Sequence, residues 1–256
     1  MDGDLPKDFA VEHRDGSTLV VDHGAWHRLL EQYVRPSVDG RNRVDYAGLR
    51  AEKAALAAYV TQLEQTPIDR LDRPEQFAFW CNLYNAMTVR VVAEHYPIAS
   101  IRDIRLGGTL MASVMGGPWK AKLAKVGAIA LSLDDIEHTI LRGNFKDPRL
   151  HYAINCGSVG CPNLRVRPFT GVALEHDLEE AAHDFVNSGR GMAMEGDRIV
   201  LSGIFKWYRR DFGGDEAHVL RHIARYAEAE RRAAIESGFK VTRYDYDWRL
   251  NGIADA

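Results

Sequence analysis

Apolar residues recur at helical spacing in the first half of the chain and predict three helices. The first begins near Asp22 or Gly24, and the second spans about residues 45–65. The third starts at Pro74, a residue that suits the first turn of a helix, and runs to about His95. Because apolar side chains cover nearly its whole circumference, we expect the third helix to lie at the centre of the core.

Two polar residues interrupt the apolar surface of this third helix. Asn82 and Asn85 lie three residues apart. A buried carboxamide without hydrogen-bond partners costs about 1–3 kcal/mol. Both side chains are therefore expected to have partners elsewhere in the fold or in a functional site.

The second half of the chain mixes short apolar runs with helical stretches. Strands are predicted over residues 126–131, 150–156 and 239–248. Helices are predicted from about residue 134 to 142 and over residues 174–187 and 215–227, with a hairpin at residues 195–197. Residues 1–23 are predicted to be an N-terminal arm before a single domain, residues 24–256. The fold class predicted is α+β, with helices packed on a small, mostly antiparallel sheet.

Composition and charge argue against several classes of protein. The chain has 256 residues, with 33 Lys plus Arg and 36 Asp plus Glu, so its formal charge is −3. It lacks the basic field that holds proteins to nucleic acid or anionic membranes. It also lacks an apolar run near the ~18 residues of a membrane span, and its start has no signal-peptide pattern. We expect no nucleic-acid binding and no membrane span, and either a cytoplasmic protein or an exported one whose leader was removed.

Three cysteines are too few for a disulfide framework, so each is read separately. Cys81 lies on the apolar face of the third helix and is predicted to be a core residue. Cys156 ends the predicted strand, just before a run of small residues that leaves backbone N–H groups unpaired. It is the candidate nucleophile, with the N–H groups of Gly157 and Ser158 as donors to an oxyanion.

Three other interpretations of Cys156 stay open. The first is a small buried thiol at a strand end. The second is a zinc ligand together with Cys161 and His138, and the third is one half of a redox pair with Cys161.

A thiol of ordinary pKa, ~8.5, needs a neighbouring base or cation to form thiolate at neutral pH. His138 is the leading partner, because it lies away from the apolar stripe of its helix. Asp134 precedes it by one turn, and Glu137 lies at the border of the stripe. His151 is a second candidate, but strand alternation places it opposite Cys156, so we expect a hydrogen-bonded core histidine there.

Two further segments draw attention. Residues 107–118 form a glycine- and methionine-containing loop that is a candidate cover for a site. Residues 205–210 mix cations with aromatic rings, the chemistry of stacking on bases. A role within the fold, with Trp207 buried, is the favoured interpretation of the second segment.

Five segments, in one order, resemble the domain-of-unknown-function 547 family. They are residues 79–86, residues 132–138, residues 150–158 with Cys161-Pro162, residues 201–208 and residues 246–248. The resemblance runs from about Trp26 to Asn251. It implies that the following are family positions: Asn82, Asn85, Glu137, His138, Asn155, Cys156, Ser158 and Cys161. The family is similar to papain-like or transglutaminase-like cysteine hydrolases, and a cysteine with its histidine upstream suits a circularly permuted papain-like core.

The sequence therefore predicts a cysteine-dependent hydrolase or acyltransferase that acts on an amide of a small peptide or γ-glutamyl compound. Cys156 attacks, His138 transfers the proton, and Glu137 or Asn82 orients the imidazole. The supporting or substrate-binding residues are Asn82, Asn85, Asn155, Gly157, Ser158 and Cys161. No metal or cofactor is expected, and the oligomeric state stays open. The alternative from another class is a binding or scaffold module in which these polar residues brace the core.

Overall fold

Helices dominate the first half of the chain. The computed structural model describes residues 9–106 and 117–253, so nearly all of the candidate covering loop lies outside the described residues. The helices are α1 (Gly24–Tyr33), α2 (Tyr46–Ala51), α3 (Lys53–Glu64) and α4 (Arg73–His95). The antiparallel pair β1 (Val34–Arg35) and β2 (Arg43–Val44) connects α1 to α2. The single helix predicted over residues 45–65 was wrong in one respect, because the backbone leaves helical geometry at Glu52 and divides it into α2 and α3.

Helix α4 is the centre of the fold, as its apolar circumference predicted. The Asp72 carboxylate accepts a hydrogen bond from the backbone N–H of Glu75 at 2.8 Å and caps the first turn. Pro74 lies in that turn, where no hydrogen bond from its nitrogen is needed. Residues are buried on every side of the helix, including Asn82 and Asn85. Both carboxamides therefore need partners within the protein.

The second half of the chain contains the larger sheet. Its elements are β3 (Ala124–Val126), β4 (Ile129–Leu131), a π-helix (Asp135–Phe145), α5 (Leu150–Ala153), α6 (Leu174–Asn187), β5 (Met192–Glu195), β6 (Arg198–Ser202), α7 (Gly203–Trp207), α8 (Glu216–Tyr226), α9 (Ala229–Glu236) and β7 (Lys240–Asp245). The three-stranded sheet has the order β5-β6-β7, antiparallel and then parallel. Short 3₁₀ turns occur at Ile68–Arg70, Ile101–Asp103 and Gly171–Ala173. The α+β class with helices and small sheets is confirmed, and three of the four strand pairings among the described residues are antiparallel.

The strand predicted over residues 150–156 was wrong. Asp147 starts a turn by accepting from the Leu150 N–H at 3.1 Å, and the Ile154 N–H returns to the Leu150 carbonyl at 3.2 Å, so α5 forms. The chain becomes extended only from Ile154. All four residues of α5 are buried. The alternation of buried and exposed positions that distinguishes a half-buried strand from a helix is therefore missing in this segment.

The strand predicted over residues 126–131 is a hairpin instead. β3 pairs with β4 in antiparallel register, Val126 opposite Ile129. Gly127 and Ala128 form the turn, and both have positive φ, 56° and 69°. Two-residue turns of this kind match the twist of paired strands, which explains how so short an apolar run reverses its direction.

Two hydrophobic clusters meet just before Cys156. The first surrounds α4, and the second fills the space between the three-stranded sheet and helices α6 and α8. Tyr152 belongs to the second cluster, whereas Ala153 and Ile154 belong to the first. The chain therefore crosses from one cluster to the other immediately before the candidate nucleophile.

The segment before α1 runs along this body. The Arg14 N–H donates to the Leu71 carbonyl, and the Val21 N–H donates to the Glu75 carboxylate, each at 2.8 Å. Among the helices of residues 9–106 and 117–253, none combines the length and apolar character needed to cross a membrane.

His23, at the start of α1, makes the fold sensitive to acid. Its ring is 5% exposed and bonds to the Tyr59 hydroxyl at 2.6 Å and to the Asn82 carboxamide at 3.2 Å. Burial lowers the pKa of His23 from 6.5 to about 4. The unfolded chain then takes up the proton first, so the contribution of His23 is full above pH 6.5 and is lost as the pH falls to about 4.

We expect this single residue to cost about 3 kcal/mol of unfolding free energy at pH 4. Urea unfolding of His23→Gln and of the unmodified protein between pH 7 and pH 4.5 measures it. Stability of the unmodified protein should fall more steeply with decreasing pH than stability of the variant. Parallel pH profiles would show that His23 does not titrate as burial requires, and His27→Gln, at an exposed histidine, is the control.

Candidate functional site

A loop fixed by two asparagines presents Cys156. Asn85 donates to the Ala153 carbonyl at 2.9 Å and accepts from the Asn155 N–H at 2.8 Å. Asn155 in turn accepts from the Gly157 N–H at 2.8 Å and donates to the Pro162 carbonyl at 2.6 Å. Asn85 and Asn155 therefore brace both ends of the loop.

The backbone N–H of Gly157 is already paired in this loop. The N–H of Gly157 was expected to be unpaired and available to an oxyanion, but it donates to the Asn155 side chain. Gly157 has φ +80°, and a β-carbon at this position would lie 3.4 Å from the Val92 side chain. Its role is to make a tight turn that favours glycine, because a side chain is strained at this φ.

The C-terminal segment after β7 closes over this loop. The N–H groups of Val159 and Gly160 donate to the carbonyls of Arg249 and Asp247, both at 2.8 Å. At Gly160 a β-carbon would lie 2.9 Å from both the Asp247 nitrogen and the Tyr246 ring, so only glycine permits this close approach. The contact brings Tyr246, 85 residues after Cys161, to the thiols.

The two thiols of Cys156 and Cys161 are in direct contact. Their sulfur atoms lie 2.8 Å apart, and both thiols are free. The Cys161 sulfur also accepts from the Cys156 N–H at 3.1 Å, lies 3.0 Å from the Tyr246 hydroxyl and accepts from the Ser158 hydroxyl at 3.5 Å. The Cys156 sulfur lies 3.3 Å from both hydroxyls. Cys161 thus has more hydrogen-bond partners than Cys156.

Hydrogen bonding divides the pair into a thiolate and a thiol. Burial alone would raise the pKa of Cys161, but hydrogen bonds from Cys156, Ser158 and Tyr246 outweigh it and lower the pKa to about 6. The bond to Cys161 and burial both raise the pKa of Cys156 well above its ordinary value. The two thiols interact strongly and lose their protons as one unit, and the hydrogen bonds to Cys161 favour the charged form of the pair.

The pair opens onto a cavity of about 400 Å³. Its walls include both sulfurs and four of the predicted or considered site residues: Asp134, Glu137, His138 and His151. Aromatic side chains supply much of the rest: Tyr84, Trp119, Trp207, Tyr208, Tyr246 and Trp248. This volume is within the usual range for sites that bind small molecules, about 300–1,000 Å³.

The π-helix brings Glu137 and His138 to the same cavity. Neighbours on an α-helix diverge by ~100°, which made a shared site difficult to expect. In this wider helix the Glu137 carboxylate lies 4.0 Å from His138 Nδ1. Glu137 is 7% exposed and accepts from the Tyr84 hydroxyl at 3.2 Å.

The hydrogen bonds of His138 fix its tautomer. Arg142 donates to His138 Nδ1 at 3.1 Å, and a guanidinium has no acceptor, so Nδ1 is unprotonated and the proton is on Nε2. His138 Nε2 lies 3.9 Å from the Asp134 carboxylate. The lone pair expected to take the thiol proton therefore already has a donor.

A network missed by the sequence analysis links the two histidines of the cavity. Asp211 bonds to His151 at 2.8 Å and to Arg142 through both oxygens, at 2.6 and 3.0 Å. The Tyr208 ring stacks on His151, with ring centroids 4.1 Å apart. Burial alone would raise the pKa of Asp211, but the bonds from His151 and Arg142 hold it well below its usual range. Burial lowers the pKa of His151 despite Asp211, so the ring is neutral.

His151 is the buried, hydrogen-bonded histidine that the sequence predicted, but it also lines the cavity. Because it lies on α5 rather than on a strand, the argument that placed it opposite Cys156 was wrong. Asp211 and Arg142 carried no motif signal, since each belongs to a polar stretch that resembles any exposed segment.

Asn82 is not at the site. It donates to the Phe169 carbonyl at 2.8 Å, accepts from the Phe169 N–H at 3.1 Å and bonds to His23. It holds the segment before α6 against α4. Asn82 therefore does not orient the imidazole of His138.

Trp207 was predicted to be buried, and that prediction was wrong. The indole is 49% exposed at the rim of the cavity. It packs against Tyr246 and Trp248, with ring centroids 4.8 and 5.7 Å apart. Three aromatic residues from α7 and from the C-terminal segment thus form one wall.

The zinc arrangement considered for the cysteines and His138 does not form in the described part of the chain. The three residues there whose ligand atoms lie close enough together for a metal are His176, Asp177 and Glu180. Arg165 pairs with both carboxylates, at 2.8 and 2.6 Å, so their charge is already balanced.

Fold and site together define an α+β protein whose cavity is centred on two contacting thiols. The profile of a family described as "Protein of unknown function, DUF547" matches residues 68–186. That segment runs from the turn before α4 almost to the end of α6 and contains Asn85, Glu137, His138 and both thiols. No curated protein and no solved structure gives a significant match. None of these findings links the chain to papain-like or transglutaminase-like hydrolases.

Proposed function

We propose that this protein is a cysteine-dependent hydrolase or acyltransferase that acts on an amide of a small peptide or γ-glutamyl compound. The observation that carries the proposal is the pair of thiols, stabilised as one thiolate and open to a cavity of about 400 Å³. A thiolate at neutral pH is the reactive form of cysteine.

Cys156 is the nucleophile and Cys161 its base. Cys156 is partly exposed, whereas Cys161 is 5% exposed and hydrogen-bonded on several sides. The proton on the Cys156 sulfur passes to the Cys161 thiolate, whose sulfur lies 2.8 Å away, as Cys156 attacks the carbonyl carbon. No imidazole is needed for this transfer, which agrees with the occupied lone pair of His138.

The remaining proton movements balance within the pair. The tetrahedral intermediate collapses as the Cys161 S–H gives its proton to the departing amine, leaving a Cys156 thioester and a Cys161 thiolate. In hydrolysis, Cys161 then takes a proton from water while the hydroxide attacks the thioester, and it returns that proton to the released Cys156. In acyl transfer, an amine replaces the water.

Hydroxyl and imidazole donors serve the oxyanion in place of the Gly157 N–H. The Tyr246 hydroxyl is 3.3 Å from the Cys156 sulfur, and burial and the neighbouring thiols raise its pKa well above 10, so it keeps its proton. Its single O–H stabilises the Cys161 thiolate at rest and turns to the oxyanion once Cys161 has taken up the proton. The Nε2–H of His138 is the second donor in the cavity wall. Preorganised donors of this kind are often the largest single contribution to acyl-transfer catalysis.

A second candidate function is reversible dithiol–disulfide exchange. The 2.8 Å contact between two free thiols favours it, because only a small approach separates them from a bond. One thiol with a lowered pKa and one with a raised pKa is also the division that such exchange uses.

An acyl-enzyme test separates the two candidates. The reduced protein is mixed with γ-glutamyl-p-nitroanilide and with aminoacyl p-nitroanilides, quenched in acid and examined by peptide mass spectrometry. The proposed function predicts p-nitroaniline release and a hydroxylamine-sensitive acyl group on Cys156. Cys156→Ser should lose both, whereas Cys81→Ala, which changes a core thiol, should keep both.

Failure of every substrate to release p-nitroaniline or to acylate Cys156 would count against the proposed function. If oxidised glutathione then forms a mixed disulfide at Cys156 that resolves to a Cys156–Cys161 disulfide, the second candidate replaces it.

A further inference from the structure

The walls of the cavity have an unusual charge balance. Among its described lining residues are two carboxylates, Asp134 and Glu137, and no Lys or Arg. The two histidines there are not fixed cations: His138 accepts a bond at Nδ1, and burial keeps His151 neutral. The cavity is therefore electrostatically suited to a positively charged ligand.

In the part of the chain that the structure describes, the buried Glu137 carboxylate forms no ion pair with a Lys or Arg, and the Arg142 guanidinium acts on it only from a longer distance. The Tyr84 hydroxyl donates a hydrogen bond to it at 3.2 Å, and the Tyr208 hydroxyl interacts with it as well. Within the described residues its ionic contact is with His138 Nδ1 at 4.0 Å, but that nitrogen accepts from Arg142. Buried charges in proteins are ordinarily paired, so Glu137 lacks the counter-ion that its burial calls for.

The aromatic rim adds a second, independent attraction for cations. Trp207, Tyr246 and Trp248 pack against one another, and Trp119 meets Trp248 edge to face with centroids 6.0 Å apart. Indole faces attract ammonium and guanidinium groups through the negative potential of the ring. Two aromatic rings of the cavity already hold a guanidinium among the described residues: Arg102 lies 5.2 Å from the Trp248 ring centre, and Arg142 lies 4.9 Å from the Tyr208 ring centre.

We propose that the cavity recognises a substrate with an alkylammonium group, paired with Glu137 and covered by the tryptophans of the rim. That the ligand is a substrate rests on the proposed function, whereas the cation site itself rests on Glu137 and the aromatic wall. An amine near the scissile amide satisfies the buried carboxylate as it binds. A neutral or acidic side chain leaves that carboxylate unpaired.

The test compares ligands that differ only in charge. Binding of N-acetyl-lysine methylamide, N-acetyl-norleucine methylamide and N-acetyl-glutamate methylamide is measured by calorimetry on Cys156→Ser, which removes turnover. We expect the lysine amide to bind at least tenfold more tightly than the norleucine amide, with a preference that declines as salt increases. Equal affinities for lysine and norleucine amides would overturn the proposal.

Two variants assign the preference to its proposed source. Glu137→Gln keeps the acceptor for the tyrosine hydroxyls and should remove the lysine preference, while Glu230→Gln, an exposed glutamate on α9, should keep it. Trp207→Ala changes an exposed side chain and should weaken the lysine amide about three- to tenfold. Retention of the full preference in both Glu137→Gln and Trp207→Ala would also overturn the proposal.

Failure of the inference is distinguishable from failure of the proposed function. Acylation of Cys156 by neutral, acidic and cationic p-nitroanilides at equal kcat/KM would leave the hydrolase in place and overturn the ammonium site. Selective binding of the lysine amide by a protein that never acylates would support the ammonium site and remove the hydrolase.

Discussion

Replacing Cys161 with serine is expected to slow iodoacetamide alkylation of Cys156 at least about tenfold at pH 6.5. In the unmodified protein the pair loses its first proton at about pH 6, so most molecules carry a thiolate at pH 6.5. In the variant Cys156 has no thiolate base beside it, and an ordinary thiol of pKa ~8.5 is only about 1% thiolate at pH 6.5. Greater nucleophilicity of a more basic thiolate offsets part of this loss.

The pH profile is the sharper measurement. Alkylation of Cys156 requires its proton to pass to the Cys161 thiolate, so the rate for the unmodified protein should rise through about pH 6 and level off, whereas the rate for Cys161→Ser should still be rising at pH 8.5. Tyr246→Phe and Ser158→Ala each remove a donor to the Cys161 sulfur and should move the inflection upward by less. Cys81→Ala is the matched control. An inflection between pH 8 and 9 in the unmodified protein would contradict the division of charge described above.

Alanine at Asn85 and at Asn82 should destabilise the protein by similar amounts but affect the thiols differently. Each carboxamide pairs with one backbone carbonyl and one backbone N–H of another segment, so each variant leaves two buried backbone groups without partners, and Asn82→Ala also removes the bond to His23. The expected loss is about 2–4 kcal/mol of unfolding free energy in both variants. Urea unfolding at pH 7.5 measures it.

The reactivity of the thiols distinguishes the roles of the two asparagines. Asn85 binds the segment that leads directly into Cys156, whereas Asn82 binds Phe169, away from the cavity. The alkylation rate of the folded Asn85→Ala protein should fall about tenfold, and that of Asn82→Ala should stay within twofold. An equal loss of reactivity in both would mean that Asn85 affects the thiols only through general stability.

Much of the fold follows from patterns that the chain carries locally. The periodicity of α1, α4, α6 and α8 is long enough to identify each helix. The all-round burial of α4 was readable because apolar residues occupy nearly every position. The exceptions are short or ambiguous, as in α5, where four consecutive buried residues fit a strand as well as a helix. The break at Glu52 depends on packing and has no local signal.

The candidate site, like the fold, was predictable from the sequence only in part. The residue types at Cys156, Cys161, Glu137 and His138 could be selected from the sequence, because thiols, acids and imidazoles beside small residues suggest chemistry. Their roles could not be assigned. The occupied Nδ1 of His138 depends on Arg142, and the pairing of the Gly157 N–H depends on the rotamer of Asn155.

The sequence by itself determined the α+β class, the central helix and the position of one thiol at a turn, because these rest on periodicity and on chemistry within a few residues. Only the tertiary structure decided that this thiol has a partner, that the partner accepts more hydrogen bonds, and that Tyr246 and Asp211 complete the surroundings. Hydrogen bonds set a pKa, and the donors to Cys161 come from residues up to 85 positions away. No local pattern records such distances, because they arise when the C-terminal segment closes over the cysteine loop.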